Sequence, residues 1–360
     1  MARIRLQDVA ERAGVSIKTV SNVVNGKGTI TDATRLRVQE AVAELQYRPN
    51  VAARHLRHGN SGMIAVALPE LTQPYFAELA SELVRAAKAQ QLTVLLAQTD
   101  GRADSERAIS DGIDMPLMDG LIMSPLALGT EDLRHRADSS PLVLLGEHIG
   151  DDSPFSHVAI DNQAAAVAAT AHLIELGRRR IAAIGAKDYS HPESATPLET
   201  ANLRLAGYHA ALADAGLPAR PELVRQVEDF HRADGASAMH ALLDLPEPPD
   251  AVFCFNDLLA LGALRALRDR GLSAPQDVAV IGIDDIEEGR FSSPSLSTVA
   301  PDKRSLAEVA ISLLLERSAH PDAPPRSAVT EHRVIAREST AATAVPPQLG
   351  PGPDGGRTGV

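Results

Sequence analysis

The sequence predicts an α/β protein in which a small all-α N-terminal module precedes a large body of two α/β lobes. Three observations carry this expectation. From Gly62 onward, short apolar runs alternate with helical patterns, as they do in parallel sheets covered by helices on both faces. The alternation lasts longer than one open sheet usually accommodates, so the body divides in two. Charge is the third: residues 1–60 hold 10 Lys/Arg against 5 Asp/Glu, and residues 61–360 hold 25 against 42. A module at +5 on a body at −17 makes the net −12. The basic part suits phosphate contact, while the acidic remainder repels polyanions and helps confine contact to one face.

The elements follow in order. Leu6, Val9 and Ala10 put one apolar face on a first helix. Gly14 stands just past it, where left-handed backbone is cheapest, and Ser16 follows as N-cap of a second helix. Val20, Val23 and Val24 form that helix's buried side, Asn25-Gly26 ends it, and Ile17, Lys18, Ser21 and Asn22 face outward. A third helix from about Thr31 to Gln46, with Thr31 as cap, turns Val38, Val42 and Leu45 inward. Two short helices on a glycine turn also describe an ordinary helical hairpin. With a third helix behind them they match a helix-turn-helix DNA reader, whose second helix enters the major groove. After Pro49, the run Asn50–Arg57 is too short to stand as an isolated helix and orders only against something else.

In the body, strands are expected near 63–68, 92–98, 120–123, 142–145, 158–160, 181–184, 251–255, 278–283 and 333–336. Helices are expected near 74–90, 105–113, 162–176, 200–215, 233–243, 257–270 and 303–317. The chain should cross between lobes near Ile160-Asp161 and Leu296–Val299, and return near 320–330. The tail after Thr340 is rich in Pro, Gly and Ala and reads as disordered. The expected domains are a headpiece (1–47), a hinge and linker (48–61), a two-lobed body (62–340) and the tail (341–360).

One stretch carries a resemblance. Asp8-Val9-Ala10, Ala13-Gly14-Val15-Ser16, Thr19-Val20-Ser21, Val23 and Asn25, followed by Tyr47, Pro49-Asn50, Ala53 and Leu56, resemble the headpiece and hinge of the lactose-repressor (LacI/GalR) family. The resemblance implies a periplasmic-binding-protein-like effector domain and a homodimer on a pseudo-palindromic operator in double-stranded DNA. It also implies transcriptional regulation, chiefly repression, in answer to a small sugar-like effector between the lobes. Its DNA-binding set falls on Ser16, Ile17, Lys18, Thr19, Ser21, Asn22, Asn25, Tyr47, Asn50, Ala53 and Leu56. Asn22 would read adenine, Ile17 a thymine methyl, and Leu56 would wedge between base steps in the minor groove. As a plain linker residue, Leu56 would do none of this. Some relatives join dimers into tetramers through a C-terminal leucine heptad, which this tail lacks.

Ligands of open α/β sheets bind beyond the C-terminal strand ends. Tyr75, Phe76, Ser124, Glu147, Asn256, Asp257 and Asp284 stand at such positions; Arg204, in an Arg-x-x-Gly run, and Phe230 join by the resemblance. Arg204 offers a planar fork to adjacent hydroxyls or a carboxylate, against a surface ion pair as its plainer role. Asp284 would accept from hydroxyls, or simply cap its turn; one of Asn256 and Asp257 caps the following helix. Tyr75 and Phe76 would stack on a ligand ring or pack beneath their helix. Glu147 departs from the family, which often has aspartate at this strand end.

Enzymatic readings find little support. Cys254 sits inside an apolar run, the 12 histidines show no ligand spacing, and Asp284-Asp285 are adjacent turn residues whose side chains point apart. No catalytic residue, metal site or cofactor is therefore expected. No apolar run reaches the ~18 residues of a membrane span, no apolar leader is present, and a single cysteine suits a reducing compartment, so a cytoplasmic location is expected. The competing readings are a cytoplasmic sugar-binding protein without regulatory role and an enzyme on the same scaffold.

Overall fold

The computed structural model describes residues 4–24, 30–47, 61–113, 118–146, 153–187 and 199–341. The chain forms two compact units, Met1–Gly62 and Met63–Val360. Asn25, Asn50, Ala53, Leu56 and Glu147 lie outside the described residues, as do most of the segments assigned to hinge and tail.

The N-terminal unit holds α1 (Leu6–Ala13), α2 (Ile17–Val24) and α3 (Asp32–Glu44). Val9, Ala10, Ala13, Val20, Val38 and Ala41 form its core, flanked by Leu6, Val15, Val23, Val24, Val42, Leu45 and Tyr47. Gly14 has φ +65° and closes α1, as its position implied. Ser16 Oγ accepts from the Thr19 amide at 3.1 Å, so it caps α2. Thr31 stands at the head of α3, yet its hydroxyl donates to Thr34 Oγ1 at 3.0 Å and caps no amide.

In the larger unit, the first sheet contains β1 (Met63–Leu68), β2 (Thr93–Gln98), β3 (Leu121–Met123), β4 (Leu142–Leu145), β5 (Ser156–Ile160) and β11 (Ser327–Thr330), ordered β11-β5-β4-β3-β1-β2. The second contains β6 (Ile181–Ala186), β7 (Val224–Gln226), β8 (Ala251–Cys254), β9 (Ala279–Ile283), β10 (Ser297–Pro301) and β12 (His332–Ile335), ordered β12-β10-β9-β8-β6-β7. Among the described residues, all pairings are parallel except β10 with β12. The helices are α4 (Pro74–Ala89), α5 (Ala103–Ser110), α6 (Thr130–Arg134), α7 (Asn162–Glu175), α8 (Thr200–Asp214), α9 (Arg232–Leu243), α10 (Asp257–Asp269), α11 (Glu287–Phe291) and α12 (Lys303–Ala319).

Both faces of β1 are buried: Ile64, Val66 and Leu68 meet α4 and α12, while Ala65 and Ala67 meet the smaller layer with Leu128 and Leu133. That is the reason for its unbroken apolar run. β7, α6 and α11 escape sequence reading because three to five residues display no period. The second crossing falls between Pro301 and Lys303, later than expected, because β10 pairs with β12 as far as Pro301.

One glycine governs the contact between α7 and α8. A Cβ at Gly207 would overlap the Gln163 carbonyl oxygen, so α8 can lie this close to α7 only with glycine there. Gly207→Ala is expected to lower unfolding free energy by about 1–3 kcal/mol, an overpacking cost. Denaturant midpoints check this, and an unchanged midpoint would show that the helices separate freely.

Candidate functional site

Both sheets run second-first-third-fourth-fifth in strand order, which places a switch point between β1 and β3 and another between β6 and β8. A cavity of about 470 Å³ lies where the C-terminal ends of the two sheets face each other. That volume is in the range of small-molecule sites. Its lining comes from strand ends (Glu70, Ser124, Leu145, Lys187, Asn256, Asp284), from the head of α4 (Tyr75, Phe76) and from α8 (Arg204).

Arg204 is buried and, among the described residues, forms no surface ion pair. Its Nε donates to Asn162 Oδ1 at 2.7 Å and its Nη1 donates to the Phe255 carbonyl. Neither bond uses Nη2. Gly207, one helical turn on, lets α8 approach the head of α7 where Asn162 sits, so the Arg-x-x-Gly spacing joins a donor to the close packing that aims it.

Asp284 and Asp285 follow β9 with φ of 126° and 50°. Non-glycine residues in such regions cost roughly 1–3 kcal/mol each and persist only when neighbours dictate them. The neighbours are identifiable. The Asp284 amide donates to Val299 O at 3.0 Å, the Asp285 amide to Thr298 Oγ1 at 3.2 Å, and the Ile286 amide to Asp257 Oδ2 at 3.0 Å. Thr298 Oγ1 in turn donates to Asp257 Oδ1 at 2.7 Å. The Asp285 carboxylate binds Arg290 at 2.6 Å and Arg337 at 2.5 Å. Against the upward push of burial, those two guanidinium groups hold Asp285 below the usual carboxylate range. Asp284 instead faces the cavity, so the two side chains do point apart.

Asp257 does not line the cavity. It is fully buried beneath the Asp284 turn, and burial, followed by the neighbouring Asp284, pushes its carboxyl well above the ordinary range. Asn256 caps α10 through Oδ1, which accepts from the Leu259 amide at 2.9 Å, and also reaches the cavity. Its Nδ2 donates to the Phe230 carbonyl at 3.1 Å. Tyr75 and Phe76 pack edge to face at 5.3 Å against the lobe core, as one of their two expected roles has it, and they also line the cavity. Ser124 and Phe230 line it too, Phe230 with the Lys187 ammonium 5.1 Å from its ring centroid.

Glu70, Lys187 and His231 are lining residues that the sequence reading missed. Lys187 was legible by the strand-end rule, since it directly follows β6. Glu70 and His231 approach within 3.7 Å of each other from opposite lobes, which nothing local in the sequence announces. Cys254 is buried, and burial followed by Asp257 pushes its thiol up, away from a reactive thiolate. Among the described residues no helix is long and apolar enough to cross a membrane.

On the headpiece, Ser16, Ile17 and Lys18 are exposed, with Ile17 at 49%, whereas Thr19, Ser21 and Asn22 are half-buried. Tyr47, which the resemblance assigns to DNA, is half-buried and packs against the headpiece core.

Burial, opposed by Arg204 and Lys303, pushes Asp284 up to about 6. In the unfolded chain it titrates near the ordinary value, so between roughly pH 4 and 6 the folded state keeps a proton that the unfolded state loses. This group's contribution to stability thus falls as pH rises through that window. Asp284→Asn is expected to gain on the order of 1–3 kcal/mol at about pH 7.5, with the gap closing near pH 4. Paired thermal melts at the two pH values measure it, and a gap that does not depend on pH would contradict it.

Comparison with known proteins supplies the context. Residues 5–50 match the family described as bacterial regulatory proteins, lacI family, and residues 170–340 match the periplasmic binding protein-like domain. The HTH-type transcriptional repressor PurR of Aliivibrio salmonicida is 32% identical over 314 residues, 87% of this chain and 91% of that protein. A complex of the transcriptional regulator CelR with cellobiose is 30% identical, with a TM-score of 0.66 over 94% of this chain and 100% of that one. The Lac repressor dimer bound to operator and the anti-inducer ONPF is 26% identical, with a TM-score of 0.80 over 95% of this chain and 100% of that one. A DNA-reading helical unit, a cleft built from two sheets in the same strand order, and relatives matching nearly the whole length agree: the chain belongs to the lacI family of bacterial regulatory proteins and is a ligand-responsive, DNA-binding transcriptional regulator.

Proposed function

We propose that the protein acts as a homodimeric repressor on a pseudo-palindromic operator and that a small sugar-like effector in the cleft sets its affinity for that operator. Residues 1–47 serve as headpiece, 48–61 as hinge, and 62–340 as effector and dimerisation domain. The single observation that carries the cleft assignment is Arg204: two bonds hold its guanidinium in place, and it lines the cavity beside Asp284. A vicinal diol accepts from the guanidinium and donates to the carboxylate at once, while Tyr75, Phe76 and Phe230 offer flat apolar surface. The cellobiose complex of a 30%-identical regulator supports a sugar.

On the headpiece, Ile17, Lys18 and Asn22 are assigned to base edges, and Ser16, Thr19, Ser21, Asn25 and Tyr47 to the surrounding contacts. Asn50, Ala53 and Leu56 are assigned to the hinge, with Leu56 as the wedge. Exposed apolar groups on the body suit a second copy: Leu95 and Leu96 on edge strand β2, and Phe291, 81% exposed, on α11.

Gel shift with upstream genomic DNA, with and without a panel of sugars that includes cellobiose, tests the reading. Specific binding should weaken steeply with salt and change about 5–150-fold with effector, the range of ~1–3 kcal/mol of coupling. Leu56→Ala should lose specific binding far more than nonspecific binding. Arg204→Ala should hold the operator yet ignore effector; a normal ligand response in that variant would remove the cleft from the reading.

A further inference from the structure

A second set of charged contacts spans the lobes behind the cleft lining. Lys303 opens α12 just after the second crossing, and its side chain is only 12% exposed. Its ammonium donates to the backbone carbonyls of Asp284 at 2.6 Å and Asp285 at 3.3 Å, and it pairs with Glu78 of α4. The other Glu78 oxygen accepts from the amide of Glu287, the first residue of α11, at 3.0 Å. The helix that carries Tyr75 and Phe76 is therefore fastened to the turn that carries Asp284. Lys303 also lies 5.8 Å from the Tyr75 ring centroid, so one cation meets cleft residues of both lobes.

We propose that Lys303, fixed by Glu78, is a positioning residue that holds the Asp284 turn in its cleft-facing conformation and ties that turn to α4. The proposal rests on the reading of the cleft as the effector site, since it concerns how Asp284 is presented there. A lysine held by two carbonyls and a carboxylate does more than neutralise charge. It fixes the direction of a peptide unit whose backbone dihedrals an aspartate rarely adopts, and it places a positive charge behind the carboxyl that the ligand meets.

The Asp284 carboxyl is faced by Arg204 from α8, Lys303 from α12, Glu78 from α4 and Asp257 from α10. The two partners proposed here act on it with opposite signs. Removing the Lys303 ammonium takes away an attraction for the carboxylate and raises its titration midpoint. Removing the Glu78 charge takes away a repulsion and lowers it.

The test uses the full-length protein with carbon-13 in its aspartate carboxyls, with the Asp284 signal assigned by Asp284→Asn. Lys303→Met should tighten proton binding at Asp284 by roughly tenfold, Glu78→Gln should weaken it, and Lys303→Arg should return it most of the way to wild type. A purely structural lysine would shift the melting temperature and leave the midpoint in place. An unchanged midpoint in folded Lys303→Met, or shifts of the same sign in Lys303→Met and Glu78→Gln, overturns the proposal. Should Lys303→Met fail to fold, Glu78→Gln decides: a downward shift supports the proposal and no shift overturns it. The tie between lobes has its own readout, because Glu78→Ala should speed hydrogen exchange at the Glu287 amide at least tenfold, and a wild-type rate would break it. None of these measurements needs an effector. If Arg204→Ala responds normally in the operator assay, the cleft reading falls while the hold of Lys303 on Asp284 is still decided here.

Discussion

A buried carboxyl beneath a strained turn is the constraint on which the cleft depends. Asp257 takes the Ile286 amide on one oxygen and the Thr298 hydroxyl on the other, and Thr298 takes the Asp285 amide. Those bonds allow two successive non-glycine residues to keep positive φ. Even the strand before the turn is shaped by it, for a Cβ at Gly282 would collide with Asp257 Oδ1. Arg290 and Arg337 draw the Asp285 side chain one way, and Asp284 is left facing the cavity. Burying Asp257 is unfavourable by itself, and what it returns is a fixed direction for the acceptor at Asp284. Arg204 is set by a different device, the contact of α8 on α7 that Gly207 permits.

Much of this was legible in the sequence, and where reading stopped has physical reasons. Spacing reveals what lies on one helix or at one strand end. Gly14, Ser16 and the valines of α2 form a local pattern, and the structure places them as that pattern implies. Seven of the cavity-lining residues, Tyr75, Phe76, Ser124, Arg204, Phe230, Asn256 and Asp284, were reached by the strand-end rule or by the resemblance. Asn256 and Asp257 show the limit. They are neighbours at a helix start, but successive residues there point about 100° apart. One reaches the cavity and the other points beneath it, and composition cannot say which. Thr31 shows it again, since a hydroxyl at the N-cap position found a neighbouring hydroxyl in place of an amide.

What spacing cannot show is any pair brought together by the crossings. Glu70 with His231, and Glu78 with both Lys303 and Glu287, are separated by most of a lobe or more in sequence. The common strand order of the two sheets was hidden for a related reason. The duplication is one of topology, and the sequence shows no convincing internal repeat, so only the pairing of strands reveals it.

The division of labour across the cleft bears on how a ligand can act at all. A ligand shifts an equilibrium between two lobe arrangements only by the difference in its affinity for them. Contacts confined to Arg204 and Asn256 belong to one lobe, travel with it, and are worth the same in either arrangement, whereas the Asp284 turn is tied to α4 of the other lobe through Lys303 and Glu78. Contacts of the first kind give affinity without leverage. Leverage has to come from groups on the other lobe, Tyr75, Phe76 and Ser124, whose distance from the same ligand would change with any movement between the lobes. An effector must therefore be large enough to touch both sets at once. A fragment that satisfies Arg204 and Asn256 alone would bind and leave the operator affinity where it was.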